Sequence, residues 1–254
     1  MVVSVNMYQT YILKNGLKVI HQQIAGKAAW CGLIIGVGSR DEQPEEEGIA
    51  HFIEHVIFKG TEKRKAYHIL SRIEDVGGEL NAYTTKEDTC IYASFLPTDY
   101  ERVLELFADI VFNSIFPEKE IEKEKEVVLD EINSYKDSPG ELIFDDFEEL
   151  IYRGYPIGRN ILGSEEAVKG LNRDSILKFV KRNYSPSKMV ISSIGYFSFE
   201  KLVKLVECYF GEIPEYENPL VRLKPEIYQP QIHIIEKDTY QNHCIIGNVA
   251  YDYM

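Results

Sequence analysis

His51, Glu54 and His55 stand in the order H-x-x-E-H. On a helix, positions i and i+4 share a face, so His51 and His55 can present both imidazoles to one cation. Glu54 falls beside His55 and one turn past His51, where its carboxylate can reach a water on that cation instead of the cation itself. The chemistry open to such a trio is metal-assisted hydrolysis. Three fixed positions can also coincide by chance, and the setting argues against that. Ile49, Ala50, Phe52, Ile53, Val56, Ile57 and Phe58 make the segment apolar nearly all round, which predicts a buried helix. Burying ionisable groups without partners or a metal is costly.

A catalytic zinc ion usually takes three protein ligands and leaves one corner for water. The third ligand must come from another element. Positions 124, 127, 128 and 131 follow the i, i+3, i+4, i+7 spacing, which puts Glu124 and Glu131 on one stripe with Val127 and Val128. Glu122, Glu126 and Asp130 fall on other faces and read as solvated charge. Spacing alone does not choose between Glu124 and Glu131. A purely structural zinc site is a poorer reading, since it normally has four protein ligands and no adjacent base. His21, His68, His233 and His243 are isolated and read as surface or satisfied core residues. Gly36-Val37-Gly38 lacks the third glycine and the helix of a dinucleotide fingerprint.

The elements that must position these residues follow from turn signals and periodicity. Residues 10–13 and 17–23 flank the Lys14-Asn15-Gly16 turn and predict a hairpin, with a third strand over 28–37. A helix is predicted over 45–59, with three acids at its amino end and Gly60 as its stop. A helix over 66–76 ends at Gly77-Gly78, and strands follow over 79–84 and 89–96. Helices over 98–113 and 118–135 flank Pro117, and helical character resumes after Ser138-Pro139-Gly140. A helix over 174–182 with Asp174 as its cap, a strand over 188–194 and a helix over 198–210 complete the pattern. Strands and helices mix without strict βαβ alternation. The expectation is an α+β fold with an antiparallel or mixed sheet packed against helices.

The chain of 254 residues is 44% hydrophobic, enough to bury a sizeable core. No apolar run approaches the roughly 18 residues of a membrane helix, so no membrane partner is expected. A net charge of −13 opposes nucleic-acid binding and favours basic peptides. Cys31, Cys90, Cys208 and Cys244 form no C-x-x-C pair and read as buried free thiols. The opening 16 residues lack a basic segment followed by an apolar core, so a cytoplasmic location is the expectation. Four prolines between Pro214 and Pro230 mark a linker. The domain expectation is a catalytic unit over 1–215, a linker over 216–230 and, over 231–254, the start of a second homologous domain. That last assignment rests on His243-Cys244-Ile245-Ile246-Gly247, which echoes Trp30-Cys31-Gly32-Leu33-Ile34-Ile35-Gly36.

With these motifs assembled, the sequence resembles the pitrilysin, insulin-degrading enzyme and mitochondrial-processing-peptidase family of inverzincin zinc peptidases. Further signatures in the family's order are Gly36-Val37-Gly38-Ser39-Arg40, the run GIAHFIEHVIFKGT from Gly48 to Thr61, Gly77-Gly78-Glu79-Leu80-Asn81-Ala82, the run YPIGRNILG from Tyr155 to Gly163, and Asn183-Tyr184-Ser185-Pro186. The resemblance implies zinc held by His51, His55 and Glu131, because the family's third ligand lies about 76 residues past the second histidine. It implies that Glu54 is the general base, that Glu124 supports the site without binding metal, and that the strand with Asn81 and Ala82 pairs with an extended peptide substrate. The family's second half is nearly absent here. The expectation is a fragment of a two-half clamshell endopeptidase, or a chain completed by a partner subunit such as a second copy of itself. The competing expectation is a non-catalytic peptide-binding or assembly module of the same fold; retention of Glu54 and all three ligands argues against it.

Overall fold

The computed structural model describes residues 8–216, 221–225, 229–236 and 240–250. Residues 1–7 of the opening stretch, 217–220 and 226–228 of the expected linker, and 237–239 and 251–254 of the expected second copy lie outside the described residues. The strands are β1 (Gln9–Ile12), β2 (Lys18–Gln23), β3 (Ala29–Ile35), β4 (Glu79–Thr84), β5 (Thr89–Phe95) and β6 (Met189–Gly195). The helices are α1 (Ile49–Val56), α2 (Ala66–Glu74), α3 (Tyr100–Phe112), α4 (Glu118–Lys136), α5 (Pro139–Ile151), α6 (Glu165–Gly170), α7 (Arg173–Asn183) and α8 (Phe199–Phe210).

All six strands join one mixed sheet in the order β1-β2-β6-β3-β5-β4. The α+β expectation holds. β1 and β2 form the predicted antiparallel hairpin, but β3 does not continue it. β6 enters between them, parallel to β2 and antiparallel to β3. Nothing in the local pattern of β6 encodes that position, which is set by the helices between β5 and β6 carrying the chain back to the middle of the sheet. β4 is left at the edge, with β5 on one side only.

Alternation explains how the sheet packs. Ala29, Cys31, Leu33 and Ile35 of β3 point inward with Met189 and Ile191 of β6 and Ile91 and Phe95 of β5. They share one core with Ile53 of α1, Phe107 of α3, Phe179 of α7 and Val206 of α8. Each such side chain contributes about 1.5–3 kcal/mol through burial. Cys31 and Cys90 are buried as expected, whereas Cys208 and Cys244 are exposed.

Three local differences have physical causes. The helix expected over 45–59 begins only at Ile49, because Pro44–Glu46 forms a 3-10 turn and Gly48 adopts a left-handed conformation at φ 85°. A Cβ at Gly48 would sit 2.5 Å from the Leu162 carbonyl oxygen, so glycine is required there on two counts. The three acids do not sit in the helix; Glu46 pairs with Arg182 and Glu47 with Arg159. The cap of α7 is Asn172 rather than Asp174: its side chain accepts from Ser175 N at 3.0 Å, and Ser175 Oγ accepts from Asn172 N at 3.0 Å. α6, absent from the sequence expectation, is a short helix capped by Ser164. The echo at 243–247 carries no strand; these residues lie beside α5, with Gly247 close to the Phe147 ring.

Candidate metal centre

α1 is fixed at its amino end by a residue that precedes it. The Glu42 carboxylate accepts from Gly48 N at 3.0 Å and Ala50 N at 2.9 Å, joining two otherwise open helix donors to one buried acid. Burial pushes the Glu42 carboxyl up to about 8, against the pull of those two amides. Ile49, Ala50, Phe52, Ile53 and Val56 are buried, which locks the rotation of the helix and aims the remaining face at α4. On that face the His51 and His55 rings meet edge to face, with centroids 4.7 Å apart.

Glu131 arrives from α4. Its Oε2 lies 3.4 Å from His55 Nε2 and 3.8 Å from His51 Nε2. Donor atoms of the three side chains all fall within 4.8 Å of one another. The fold therefore brings together the residues expected as ligands, from two elements far apart in the chain. Burial, with His55 alongside, lowers His51 to about 4, so its imidazole is neutral at physiological pH, the form that binds a metal. His51 Nδ1 is buried without a hydrogen-bond partner. Two imidazoles and one carboxylate suit zinc, and Glu131, with its side chain 44% exposed, leaves the centre open on one side.

Glu124 contacts His55 from the other side of the ring. Its Oε2 is 3.3 Å from His55 Nδ1 and its Oε1 is 2.7 Å from Lys59 Nζ. A carboxylate on Nδ1 holds that nitrogen protonated and leaves Nε2 free to face Glu131. Glu131 lies near both imidazoles, and Glu124 lies behind one of them. The stripe that carries them differs from the one expected. Val128 is buried with Ile121 and Ile132, but Val127 is exposed.

Glu54 lies on the same turn. Burial raises its carboxyl above the usual carboxylate range; Thr84 and His55 pull it down and Glu131 pushes it up. Asn81 and Ala82 lie on β4, which packs against α1. Asn81 Oδ1 accepts from Ala82 N at 2.9 Å, so this backbone donor points away from β5 toward the open edge. Glu42, Lys59 and Thr84 were absent from the sequence reading. Only Glu42 had a signal, as an acid shortly before a predicted helix start.

Residues 18–165, more than half of the chain, match the family model described as Insulinase (Peptidase family M16). The chain belongs to peptidase family M16. The matched stretch contains His51, Glu54, His55, Glu124 and Glu131. A second M16 model, described as Peptidase M16 inactive domain, matches residues 170–253. The two matches meet near α6, yet β6 from the second stretch lies inside the sheet built by the first. The "Uncharacterized zinc protease YmxG" of Bacillus subtilis (strain 168) is 36% identical over 242 residues, covering 95% of this chain and 59% of that protein. The mitochondrial-processing peptidase subunit beta of Saccharomyces cerevisiae is 35% identical over 213 residues, covering 84% and 46%. Among solved structures, a protease from Helicobacter pylori superposes with a TM-score of 0.79 at 25% identity, covering 86% of this chain and 53% of its own. The chain thus spans about half the length of the M16 relatives it matches.

Proposed function

We propose that this chain is the zinc-binding half of a metalloendopeptidase that cuts extended peptides. The observation that carries the reading is the convergence of His51, His55 and Glu131 on one point, with Glu54 beside them and an unpaired sheet edge next to Glu54. When bound, zinc lowers the pKa of a water toward about 7 and polarises the scissile carbonyl. Glu54, beside this centre, would serve as the general base toward such a water and as the proton donor to the leaving amine. The open edge of β4 aligns the peptide backbone by strand addition. Peptide substrates with basic character fit the net charge of −13.

The half-length of the chain gives the proposal its second part. A second homologous half, on the same polypeptide or a partner subunit, closes over the peptide and supplies much of its positioning. The test is metal analysis of the purified protein with a peptide-library digest in the presence and absence of a chelator. The Glu54→Gln variant is expected to retain zinc while losing at least about 100-fold in cleavage rate. Near-normal turnover by that variant rejects Glu54 as the base. Metal binding without cleavage, even after the missing half is restored, favours the peptide-binding module instead.

A further inference from the structure

Two carboxylates of α4 approach the two nitrogens of one imidazole almost equally. Glu124 Oε2 lies 3.3 Å from His55 Nδ1, and Glu131 Oε2 lies 3.4 Å from His55 Nε2. A neutral imidazole carries its proton on one nitrogen, and only the other can bind a metal. Those two contacts alone do not decide which nitrogen is free. A third charge breaks the tie. Lys59 Nζ lies 2.7 Å from Glu124 Oε1, and among the described residues no lysine or arginine pairs with Glu131.

The ammonium is delivered by backbone fastened to α3. Lys59 N donates to Val56 O at 3.1 Å, closing the turn that leaves α1, and the carbonyl of the next residue, Gly60, accepts from Ile115 N at 3.1 Å. Ser114 Oγ donates to Ile57 O at 3.0 Å, and Thr61 Oγ1 donates at 2.8 Å to Asp109, an acid of α3 that is 2% exposed. Arg64 closes the loop by pairing with Asp109 and Glu105. Both sides of Lys59 are therefore fixed before its side chain meets Glu124. A fully exposed ion pair would contribute little. Here the carboxylate is only 12% exposed, and its second oxygen faces His55.

Resting on the reading of His51, His55 and Glu131 as zinc ligands, we propose that Lys59 is a positioning residue that sets the tautomer of His55 through Glu124. With Oε1 held by the ammonium, the carboxylate cannot rotate away, and Oε2 stays against Nδ1 as an acceptor. The proton is kept on Nδ1, and Nε2 is left to face the metal beside Glu131. Without Lys59, Glu124 is anchored at one oxygen and swings off the ring. Nδ1 then loses its acceptor, and the tautomer with its proton on Nε2, toward Glu131, gains. Lys59 thus assigns different roles to two acids of the same helix.

The test combines Lys59→Met, which keeps the stem without the charge, and Lys59→Arg, which keeps a cationic donor, with Glu124→Gln. Zinc affinity, read by competition with a chromophoric chelator, should fall about 10-fold in Lys59→Met and stay near the parent value in Lys59→Arg. In the Glu124→Gln background, Lys59→Met should cause no further loss, because the carboxylate through which it acts is gone. A merely structural role would weaken both backgrounds alike. A second measurement needs neither metal nor turnover. Nitrogen NMR of the metal-free protein at alkaline pH should find the His55 proton on Nδ1 in the parent and in Lys59→Arg, and shared between the two nitrogens in Lys59→Met. The proposal is overturned if Lys59→Met binds zinc as tightly as the parent, if Lys59→Arg loses as much as Lys59→Met, if the loss persists in full beside Glu124→Gln, or if the proton distribution is unchanged. A parent protein that binds no zinc would sink the metal reading, and the NMR result then decides the role of Lys59 by itself.

Discussion

At the residue scale, the centre depends on which nitrogen of each imidazole is free. Glu124 answers this for His55 by taking Nδ1, and Lys59 at 2.7 Å keeps that carboxylate in place. Replacing Glu124 by glutamine keeps the shape but allows the amide to present its nitrogen to His55, which weakens control of the tautomer. The Glu124→Gln variant should bind zinc about 10- to 100-fold more weakly, read by competition with a chromophoric chelator. Loss of Glu131 removes a ligand and should cost far more. Equal affinities for the parent and Glu124→Gln would show that Glu124 plays no part in orienting the ring.

At the element scale, the start of α1 and the edge of β4 are the two features on which the site geometry depends. Gly48 and Gly163 lie back to back; a Cβ on Gly163 would come within 2.5 Å of Glu47 O, as one on Gly48 would of Leu162 O. Gly48→Ala should destabilise the fold by about 1–3 kcal/mol, measured by urea denaturation, because both φ and space forbid the methyl group. The edge strand admits a different test. Since Ala82 N donates to its own neighbour's side chain, Ala82→Pro removes that donor from the β4 edge. Losing one strand-addition bond of about 1 kcal/mol should raise KM roughly fivefold with little change in kcat. A KM unchanged by the proline would argue that peptides do not add at this edge.

At the scale of the whole molecule, stability is linked to both metal and protons. On the proposed reading zinc binds only the folded cage, so at 100 times its Kd it should add about 2.7 kcal/mol, seen as a rise in Tm that a chelator reverses. His21 supplies the proton linkage. It is buried, hydrogen-bonded to Ser193 Oγ and the Phe197 carbonyl, and burial lowers its pKa below the ordinary 6.5. The unfolded chain therefore binds more protons below pH 6.5, so this contribution is complete above that pH and is lost as pH falls through the folded value. The drop in Tm of the metal-free protein from pH 7 to pH 5 should be smaller in His21→Asn; an unchanged drop would exclude His21 as its source. His51, held near 4, adds the same sign and leaves a residual slope. The sequence by itself determined the pairing of His51 with His55 on one helix face and most elements, because H-x-x-E-H on an apolar helix and alternating strands are local patterns of side-chain period. It also placed Glu124 and Glu131 on one face of α4, since that too is a matter of helical rotation. Only the tertiary structure decided the late start of α1, which depends on the Leu162 carbonyl meeting Gly48. It also inserted β6 between β2 and β3. Contacts between distant segments have no local period, so they become visible only when packing brings those segments together.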